Sequence, residues 1–181
     1  MVLKNKYVPF LLFIKMKYLA IDVCYQENTA FVAGVMFSLE TDGEKIYESS
    51  VNDIQPYISG QFYKRELPCI LSLLYEHQLK PNCIFVDGYV YLEEKKPGLG
   101  WYLFDALNSE VAVIGIAKNP RNQASTRENE IFRGGSSKPL YISCEGIALL
   151  EAKELVQSMD GPYRIPRIIK LADTVCRKQR A

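Results

Sequence analysis

The pattern of apolar and polar positions along this 181-residue chain changes its period after the first third. Residues 18–24, 29–39 and 45–51 are rich in strand-forming residues, and a turn signal, Thr41-Asp42-Gly43, separates the last two segments. Over residues 62–77, apolar side chains recur at helical spacing. The first part of the chain therefore predicts an antiparallel three-stranded meander followed by a helix.

The second part alternates between strand-like and helix-like segments. Residues 83–86 and 111–117 are apolar strand patterns on either side of a helical pattern at 99–107, which predicts neighbouring parallel strands. Residues 119–129 predict a loop, residues 130–133 and 140–144 a hairpin, and residues 147–159 and 166–177 two closing helices. Together the segments predict an α/β fold: a mixed central sheet, built from the meander and the parallel strands, flanked by helices.

The chain length predicts a single domain over residues 17–181, preceded by an N-terminal extension over residues 1–16. Lys4 and Lys6 precede an apolar run at residues 7–14, as in a signal peptide. The run is much shorter than the roughly 20 residues of a membrane span, and no small-residue cleavage site follows it. We therefore expect no membrane association, and Met16 is an alternative start.

The charge and the cysteine content of the chain limit the classes of function that it can have. A formal charge of +1, from 22 basic and 21 acidic side chains, excludes nucleic-acid binding through an overall positive field, so any basic groove is local. The five cysteines are odd in number and show no CxxC spacing, which argues against a zinc site or a disulfide framework. They predict reduced thiols in a cytoplasmic protein, at Cys24, Cys69, Cys83, Cys144 and Cys176.

Three acidic residues stand at positions suited to metal chemistry. Asp22 interrupts the first apolar strand, Asp87 directly follows the strand at 83–86, and Glu66 lies in the helix after the meander. Oxygen ligands suit magnesium or manganese, which activate water and stabilise charge on a phosphodiester oxygen. Taken singly, Glu66 is also compatible with a solvated helix residue, and Asp87-Gly88 with an ordinary turn.

Seven segments of the chain occur in the order and approximate spacing of the endonuclease V family, the deoxyinosine 3′ endonucleases. They are AIDVCY (20–25), PYISGQFYKRELPCIL (56–71), FVDG (85–88), GLG (98–100), IGIAK (114–118), PLYIS (139–143) and YRIPRIIKLAD (163–173). From Lys17 to about Arg177 the chain resembles this family. The resemblance implies a ribonuclease H-like fold and a magnesium-dependent endonuclease, with manganese as an alternative metal, that cuts near deoxyinosine or inosine in DNA or RNA. Its expected roles are DNA repair or RNA processing.

The resemblance also implies roles for charged residues. The first-strand aspartate, the glutamate of the F-R-E motif and the aspartate of the D-G motif build the family's catalytic metal site, and they match Asp22, Glu66 and Asp87. The aspartate of the terminal A-D motif matches Asp173, a candidate fourth metal-side group. The lysine after the G-V-A motif matches Lys118, which is expected near the scissile phosphate.

The resemblance also implies which residues bind the substrate. The family's Y-I-P-G motif supplies a tyrosine wedge that fills the gap left by an extruded base, and its tyrosine and glycine match Tyr57 and Gly60. Gly88, Gly98 and Gly100 are expected to let the backbone approach that base closely.

Several of these charged and aromatic residues have simpler explanations. Tyr57 is also compatible with a surface tyrosine, Lys118 with a solvated lysine, and Asp173 with an intrahelical partner of Arg177. Other basic residues line a phosphate-binding face or are ordinary surface charges: Lys64, Arg65, Arg121 and Arg127.

The chain departs from the family at four places. Ser59 replaces a proline, residues 62–66 (FYKRE) keep only the last two residues of the F-R-E triplet, residues 89–97 (YVYLEEKKP) replace a His-Pro-Arg run, and residues 144–147 (CEGI) replace a Gly-His pair. The only histidine, His77, stands near a predicted helix end and is expected to be a surface or capping residue. The metal site is thus retained while the base pocket has changed, so cleavage follows from the resemblance better than inosine specificity does.

Three hypotheses remain. The first is an active endonuclease, and the second is a nucleic-acid-binding protein that kept the fold and lost turnover. The third is a small metallohydrolase acting on a nucleotide, which the near-neutral charge favours and the Tyr57 wedge opposes. The sequence does not indicate the oligomeric state.

Overall fold

The computed structural model describes residues 16–40, 43–56, 58, 61–93, 96–121 and 126–180. The predicted N-terminal extension up to residue 15 lies outside the described residues. So do the turn residues Thr41 and Asp42, the predicted wedge Tyr57, and its neighbours Ser59 and Gly60.

The strands of the main sheet confirm the predicted meander and the parallel unit. They are β1 (Tyr18–Gln26), β2 (Thr29–Phe37), β3 (Lys45–Asn52), β4 (Cys83–Asp87), β7 (Ala112–Ala117), β8 (Glu130–Ile131) and β9 (Leu140–Glu145). Within the described ranges they form one seven-stranded sheet in the order β3-β2-β1-β4-β7-β9-β8. The pairs β1–β4 and β4–β7 are parallel, and the remaining pairs are antiparallel.

Four α-helices within the described ranges cover the two faces of this sheet: α1 (Tyr63–Glu76), α2 (Leu99–Ala106), α3 (Leu149–Ser158) and α4 (Arg167–Lys178). Helices α1 and α2 bury Ile70, Leu73 and Leu103 on one face, whereas α3 and α4 bury Leu155 and Ala172 on the other. The protein is therefore a three-layer α/β/α domain, as the alternation of segments predicts. In the part of the chain that is described, no helix is both long enough and apolar enough to cross a membrane.

Two local features differ from the sequence prediction. Strands β5 (Tyr91–Glu93) and β6 (Lys96–Pro97) form a separate two-stranded sheet where the family's His-Pro-Arg run is missing. These two strands are short and their side chains are partly exposed. The sequence therefore shows no alternation of apolar and polar residues from which they could be predicted. A 3₁₀ turn at Arg127–Asn129 occupies the end of the predicted loop.

Strand pairing places the two predicted aspartates, Asp22 and Asp87, side by side on neighbouring central strands. Ile21 of β1 pairs with Val86 of β4, so Asp22 and Asp87 occupy the next position on two neighbouring parallel strands. Side chains alternate along a strand, and both aspartates share the parity of residues that face α3 and α4. Gly88, with a φ of +128°, then turns the chain after β4.

All five cysteines are free thiols, as the sequence predicts. Four of them are buried, and Cys144 is partly buried.

Candidate functional site

Four predicted site residues meet in one cleft. Asp22, Asp87, Lys118 and Asp173 line a cavity of about 490 Å³ at the carboxyl ends of β4 and β7, beside the middle of β1 and against α4. Its other wall includes three residues to which the sequence assigns no role: Tyr163, Arg164 and Lys170. This cavity, the acidic cleft, lies where open α/β sheets commonly bind ligands.

Lys118 forms an ion pair inside the acidic cleft. Its Nζ lies 2.5 Å from Oδ2 of Asp87, and both side chains are a little over one-third exposed. The ammonium is thus held among carboxylates while it remains open to solvent. Asp173 makes a second ion pair, with Oδ1 lying 2.5 Å from Nε of Arg177 one helical turn along α4. The intrahelical partnership suggested by the sequence therefore coexists with a place in the cleft.

The environment of Asp22 opposes its negative charge. Burial raises the pKa of Asp22 to about 6, and the nearby carboxylates of Asp173 and Asp87 reinforce the effect. Lys118 and Arg177 act in the opposite direction but do not cancel it. Such mutual repulsion is the electrostatic condition under which a multivalent cation binds well.

Glu66 approaches this centre from the opposite layer. It lies in the first turn of α1 and is only 8% exposed, which excludes the solvated alternative. Burial raises the pKa of Glu66 well above its ordinary range, and Asp22 and Asp87 raise it further. Three acids from β1, α1 and β4 are therefore close enough to couple electrostatically.

Two buried polar atoms near Glu66 lack a hydrogen-bond partner in the part of the chain that the structure describes. The guanidinium of Arg65 lies 4.2 Å from the ring centroid of Tyr25. The Tyr25 hydroxyl and the Arg65 Nε are buried and have no hydrogen-bond partner among the described residues. An unsatisfied buried polar group costs about 1–3 kcal/mol, so this corner of the site suits a polar ligand or bound water.

The donor set fits a hard divalent cation, but the acids are not gathered in a ready-made cage. All the candidate ligands are carboxylates, the oxygen donors preferred by Mg²⁺ and Mn²⁺. Across the described ranges, no three acidic, thiol or imidazole side chains form a compact metal-binding group. The carboxylates must therefore move closer together when they share an ion.

Two arginines, the buried Arg133 and the half-buried Arg164, fix the backbone around the acidic cleft. Arg164 Nη2 donates hydrogen bonds to the carbonyl oxygens of Lys118 and, at 2.7 Å, Pro139. Arg133 donates to the carbonyls of Met159 and, at 3.0 Å, Tyr163. Arg164 thereby ties the residue after β7 to the segment that leads into α4, which carries Asp173.

A second cleft, of about 330 Å³, adjoins the first and shares Asp87 with it. Gly88 and Gly98 line this glycine cleft, and their expected role beside a base stays a prediction. A Cβ added at Gly98 would lie 2.6 Å from the carbonyl oxygen of Tyr89, so no larger residue fits there. Its remaining walls are mostly apolar or aromatic: Phe62, Tyr63, Tyr89, Leu92, Pro97, Leu99 and Arg121.

The structure places other predicted residues elsewhere. Gly100 is buried in α2 and faces Val90, which an added Cβ would approach to 2.7 Å. Close packing, rather than contact with the cleft, accounts for this glycine. His77 ends α1, roughly 16 Å along the helix axis from Glu66, and its Nε2 lies 3.0 Å from the Glu48 carbonyl oxygen. It is a capping residue, as predicted.

Sequence reasoning missed the residues that support the acidic cleft. Tyr163 and Arg164 begin the segment YRIPRIIKLAD and Lys170 lies within it, yet only Asp173 of that segment receives a role from the resemblance. Arg133 precedes the predicted Gly134-Gly135 turn and has no sequence signal of burial, although it is 6% exposed.

Comparisons with known proteins show which family the sequence resembles. The family described as Endonuclease V matches residues 12–134. The chain is 28% identical to endonuclease V of Nostoc punctiforme, over 82% of each protein. It is 26% identical to endonuclease V of Dictyoglomus thermophilum, over 81% of this chain and 73% of that protein.

Solved structures show the same fold. Endonuclease V of Streptomyces avermitilis has a TM-score of 0.75 at 25% identity, covering 90% of this chain and 80% of that one. Endonuclease V of Ciona intestinalis, in complex with a 24mer DNA containing an inosine followed by a ribo-adenosine, has a TM-score of 0.75 at 20% identity, over 91% and 85%. The ribonuclease H-like fold is thus confirmed. Because the family match spans more than half of the sequence, this chain belongs to the endonuclease V family.

Proposed function

We propose that this protein is a magnesium-dependent endonuclease that hydrolyses a phosphodiester bond near inosine or deoxyinosine. One observation carries the proposal: Asp22, Glu66 and Asp87 are electrostatically coupled at one sheet edge, with the Lys118 ammonium 2.5 Å from Asp87. Carboxylates that raise one another's pKa, beside the ammonium of a lysine, are the arrangement expected of metal-assisted phosphodiester hydrolysis.

The metal would be held by Asp22, Glu66 and Asp87, with Asp173 as a further metal-side group. When bound, Mg²⁺ or Mn²⁺ supplies an activated water and stabilises negative charge on the phosphodiester oxygens. The side chains provide the oxygen donors and the negative charge that draw the cation in. The unsatisfied Tyr25 hydroxyl and Arg65 Nε provide polar contacts on the side of Glu66.

Lys118 would neutralise charge on the reacting phosphate. Arg164 holds the backbone carbonyl of Lys118, and the Lys118 ammonium is paired with Asp87. A phosphate that enters the acidic cleft meets this ammonium, which can stabilise the negative charge that develops in the transition state.

The glycine cleft would receive the inosine base. It touches Asp87, so a base seated there places its own phosphodiester bonds at the acidic cleft. Its apolar and aromatic walls suit a flat ring system. The inosine in the DNA bound by the Ciona relative supports a base of this type. The physiological nucleic acid is DNA or RNA, in repair or in RNA processing, in a reducing cytoplasm.

The experiment is cleavage of end-labelled single-stranded and duplex DNA and RNA, each with and without one inosine, in Mg²⁺ and in Mn²⁺. Wild type is compared with Asp22→Asn, which removes a charge but keeps the shape, and with Asp105→Asn, an exposed aspartate in α2, as the matched control. Inosine-dependent cutting by wild type and Asp105→Asn, but not Asp22→Asn, is expected. Cutting that ignores inosine, or that survives in Asp22→Asn, contradicts the proposal.

A second candidate is an inosine-binding protein without turnover. The acids do not form a compact group among the described residues, and the β5–β6 sheet replaces the family's His-Pro-Arg run. This alternative predicts that wild type retains inosine-containing oligonucleotides at every Mg²⁺ and Mn²⁺ concentration while the labelled strand stays intact.

A further inference from the structure

Tyr163 is an exposed aromatic residue on the wall of the acidic cleft. Its side chain is 69% exposed, although it lines the same cavity as Asp22 and Asp87. The acidic cleft is lined by residues of α4, whereas the glycine cleft shares Asp87 with it and has no α4 residue in its lining. An aromatic surface is therefore available in each of the two clefts that meet at Asp87.

The backbone of Tyr163 is fixed while its ring is open. Its carbonyl oxygen accepts a hydrogen bond from Nη1 of the buried Arg133 at 3.0 Å. Gly134, with a φ of +59°, packs so closely that an added Cβ would lie 2.6 Å from the Tyr163 Cα. The ring is thus presented on a rigid support, which lowers the entropy lost when a flat ligand stacks on it.

A cation accompanies this ring. Nζ of Lys170 lies 6.0 Å from the Tyr163 ring centroid. Lys170 precedes Asp173 by three residues on α4 and lines the same cleft. Aromatic rings interleaved with cations along a groove are the usual means of binding unpaired nucleic acid, with bases on the rings and phosphates on the cations.

We propose that Tyr163 and Lys170 form a stacking subsite for the nucleotide that lies across the scissile phosphate from the inosine pocket, and that the strand is unpaired there. The proposal rests on the proposed function and deepens it by naming a substrate class: single-stranded nucleic acid, or a duplex opened at this nucleotide. The strand would run from the glycine cleft past Asp87 and Lys118 to Tyr163.

The test measures binding of fluorescent single-stranded oligonucleotides that carry one inosine, with Asp22→Asn in Mg²⁺ as a background that does not cut. One abasic site is moved along the strand on both sides of the inosine. At one position the abasic site is expected to weaken binding roughly 5- to 100-fold, the usual effect of losing one base–aromatic stack.

Variants in this background separate stacking from general effects. With Tyr163→Ala, the intact oligonucleotide binds as weakly as the abasic one, so the abasic penalty at that position disappears. Tyr163→Phe keeps the penalty, as does the control Tyr75→Ala, because Tyr75 is 88% exposed on α1 and lines neither cleft. Lys170→Gln reduces the slope of log affinity against log salt by about 0.7, whereas Lys178→Gln leaves it unchanged.

The outcomes distinguish this inference from the proposed function. If wild type cuts at inosine and Tyr163→Ala retains the full abasic penalty, the subsite is wrong and the nuclease function stands. If wild type does not cut but the penalty depends on Tyr163, the subsite stands and the binding alternative replaces the nuclease. If neither cutting nor binding occurs, both are overturned.

Discussion

Lys118 and Asp87 face each other across the carboxyl ends of two parallel strands, with the ammonium nitrogen 2.5 Å from a carboxylate oxygen. Lys118 directly follows β7, and Asp87 ends β4. The pair places one positive charge inside a cluster of acids. Because both side chains remain more than one-third exposed, a phosphate can reach the ammonium from solvent.

Lys118→Met is expected to lower the single-turnover cleavage rate about 100- to 1000-fold, because one preorganised charge contact to the reacting phosphate is lost. Lys118→Arg should retain part of the rate, since the charge persists with a different geometry. The measurement is single-turnover cleavage at saturating enzyme. A Lys118→Met rate equal to wild type would remove Lys118 from the chemistry.

Glu66→Gln is expected to stabilise the metal-free protein and to abolish cleavage. Burial and the neighbouring aspartates raise the pKa of Glu66, so its charge is costly when no cation is present. Thermal unfolding in EDTA at pH 8 should show a rise of roughly 2–8 °C in Tm. Glu76→Gln serves as a contrasting control, because Glu76 accepts a hydrogen bond from Ser49 Oγ at 2.6 Å and should gain nothing. A fall in Tm for Glu66→Gln would contradict the electrostatic account.

The stability of the metal-free protein should depend on pH through Asp22. Its folded pKa of about 6 lies above the ordinary value near 3.8, so the folded state binds the proton more tightly than the unfolded state. The stabilisation is complete below about pH 4 and is lost as pH rises through 6, by up to about 3 kcal/mol. Urea unfolding in EDTA between pH 4 and 8 measures this loss. Asp22→Asn should make the free energy of unfolding less dependent on pH. An equal dependence on pH in both proteins would show that Asp22 is not the group responsible.

Arg164→Met is expected to reduce cleavage by misplacing Lys118. The guanidinium holds the carbonyl oxygens of Lys118 and Pro139, and its removal leaves both without that donor. The stability cost should be about 1–3 kcal/mol. The loss of cleavage rate in the double variant with Lys118→Met should be smaller than the sum of the two single losses, because the two residues act through the same ammonium. Additive losses in this double-mutant cycle would show that Arg164 acts independently. Arg180→Met, at an exposed arginine beyond α4, is the control.

The sequence was sufficient to predict the elements that carry the acids. The apolar runs before Asp22 and Asp87 are buried central strands, and a buried strand leaves a clear hydrophobic signal. The helical spacing around Glu66 likewise identifies α1 to within one residue at each end. The short β5–β6 sheet has no such signal, because its side chains are partly exposed.

The supporting contacts of the site were beyond local sequence reasoning. The burial of Glu66 depends on how α1 packs on the sheet, and spacing along a helix does not report that packing depth. The contacts of Arg133 and Arg164 join residues 25 to 46 positions apart, so they exist only after the chain has folded. An isolated arginine near a glycine pair is more typical of the surface than of a buried clamp.

The measurement that tests the central claim most directly is the position of the cut when the inosine is moved. Two end-labelled single-stranded oligonucleotides of one sequence differ only in that the inosine is displaced along the strand. We predict that wild type in Mg²⁺ produces one main product from each, that the cut moves by the same number of nucleotides as the inosine, and that Asp22→Asn produces none. A cut that stays in place, or no cut by folded wild type in Mg²⁺ or Mn²⁺, would contradict the assignment of this acidic cleft to an inosine-directed nuclease.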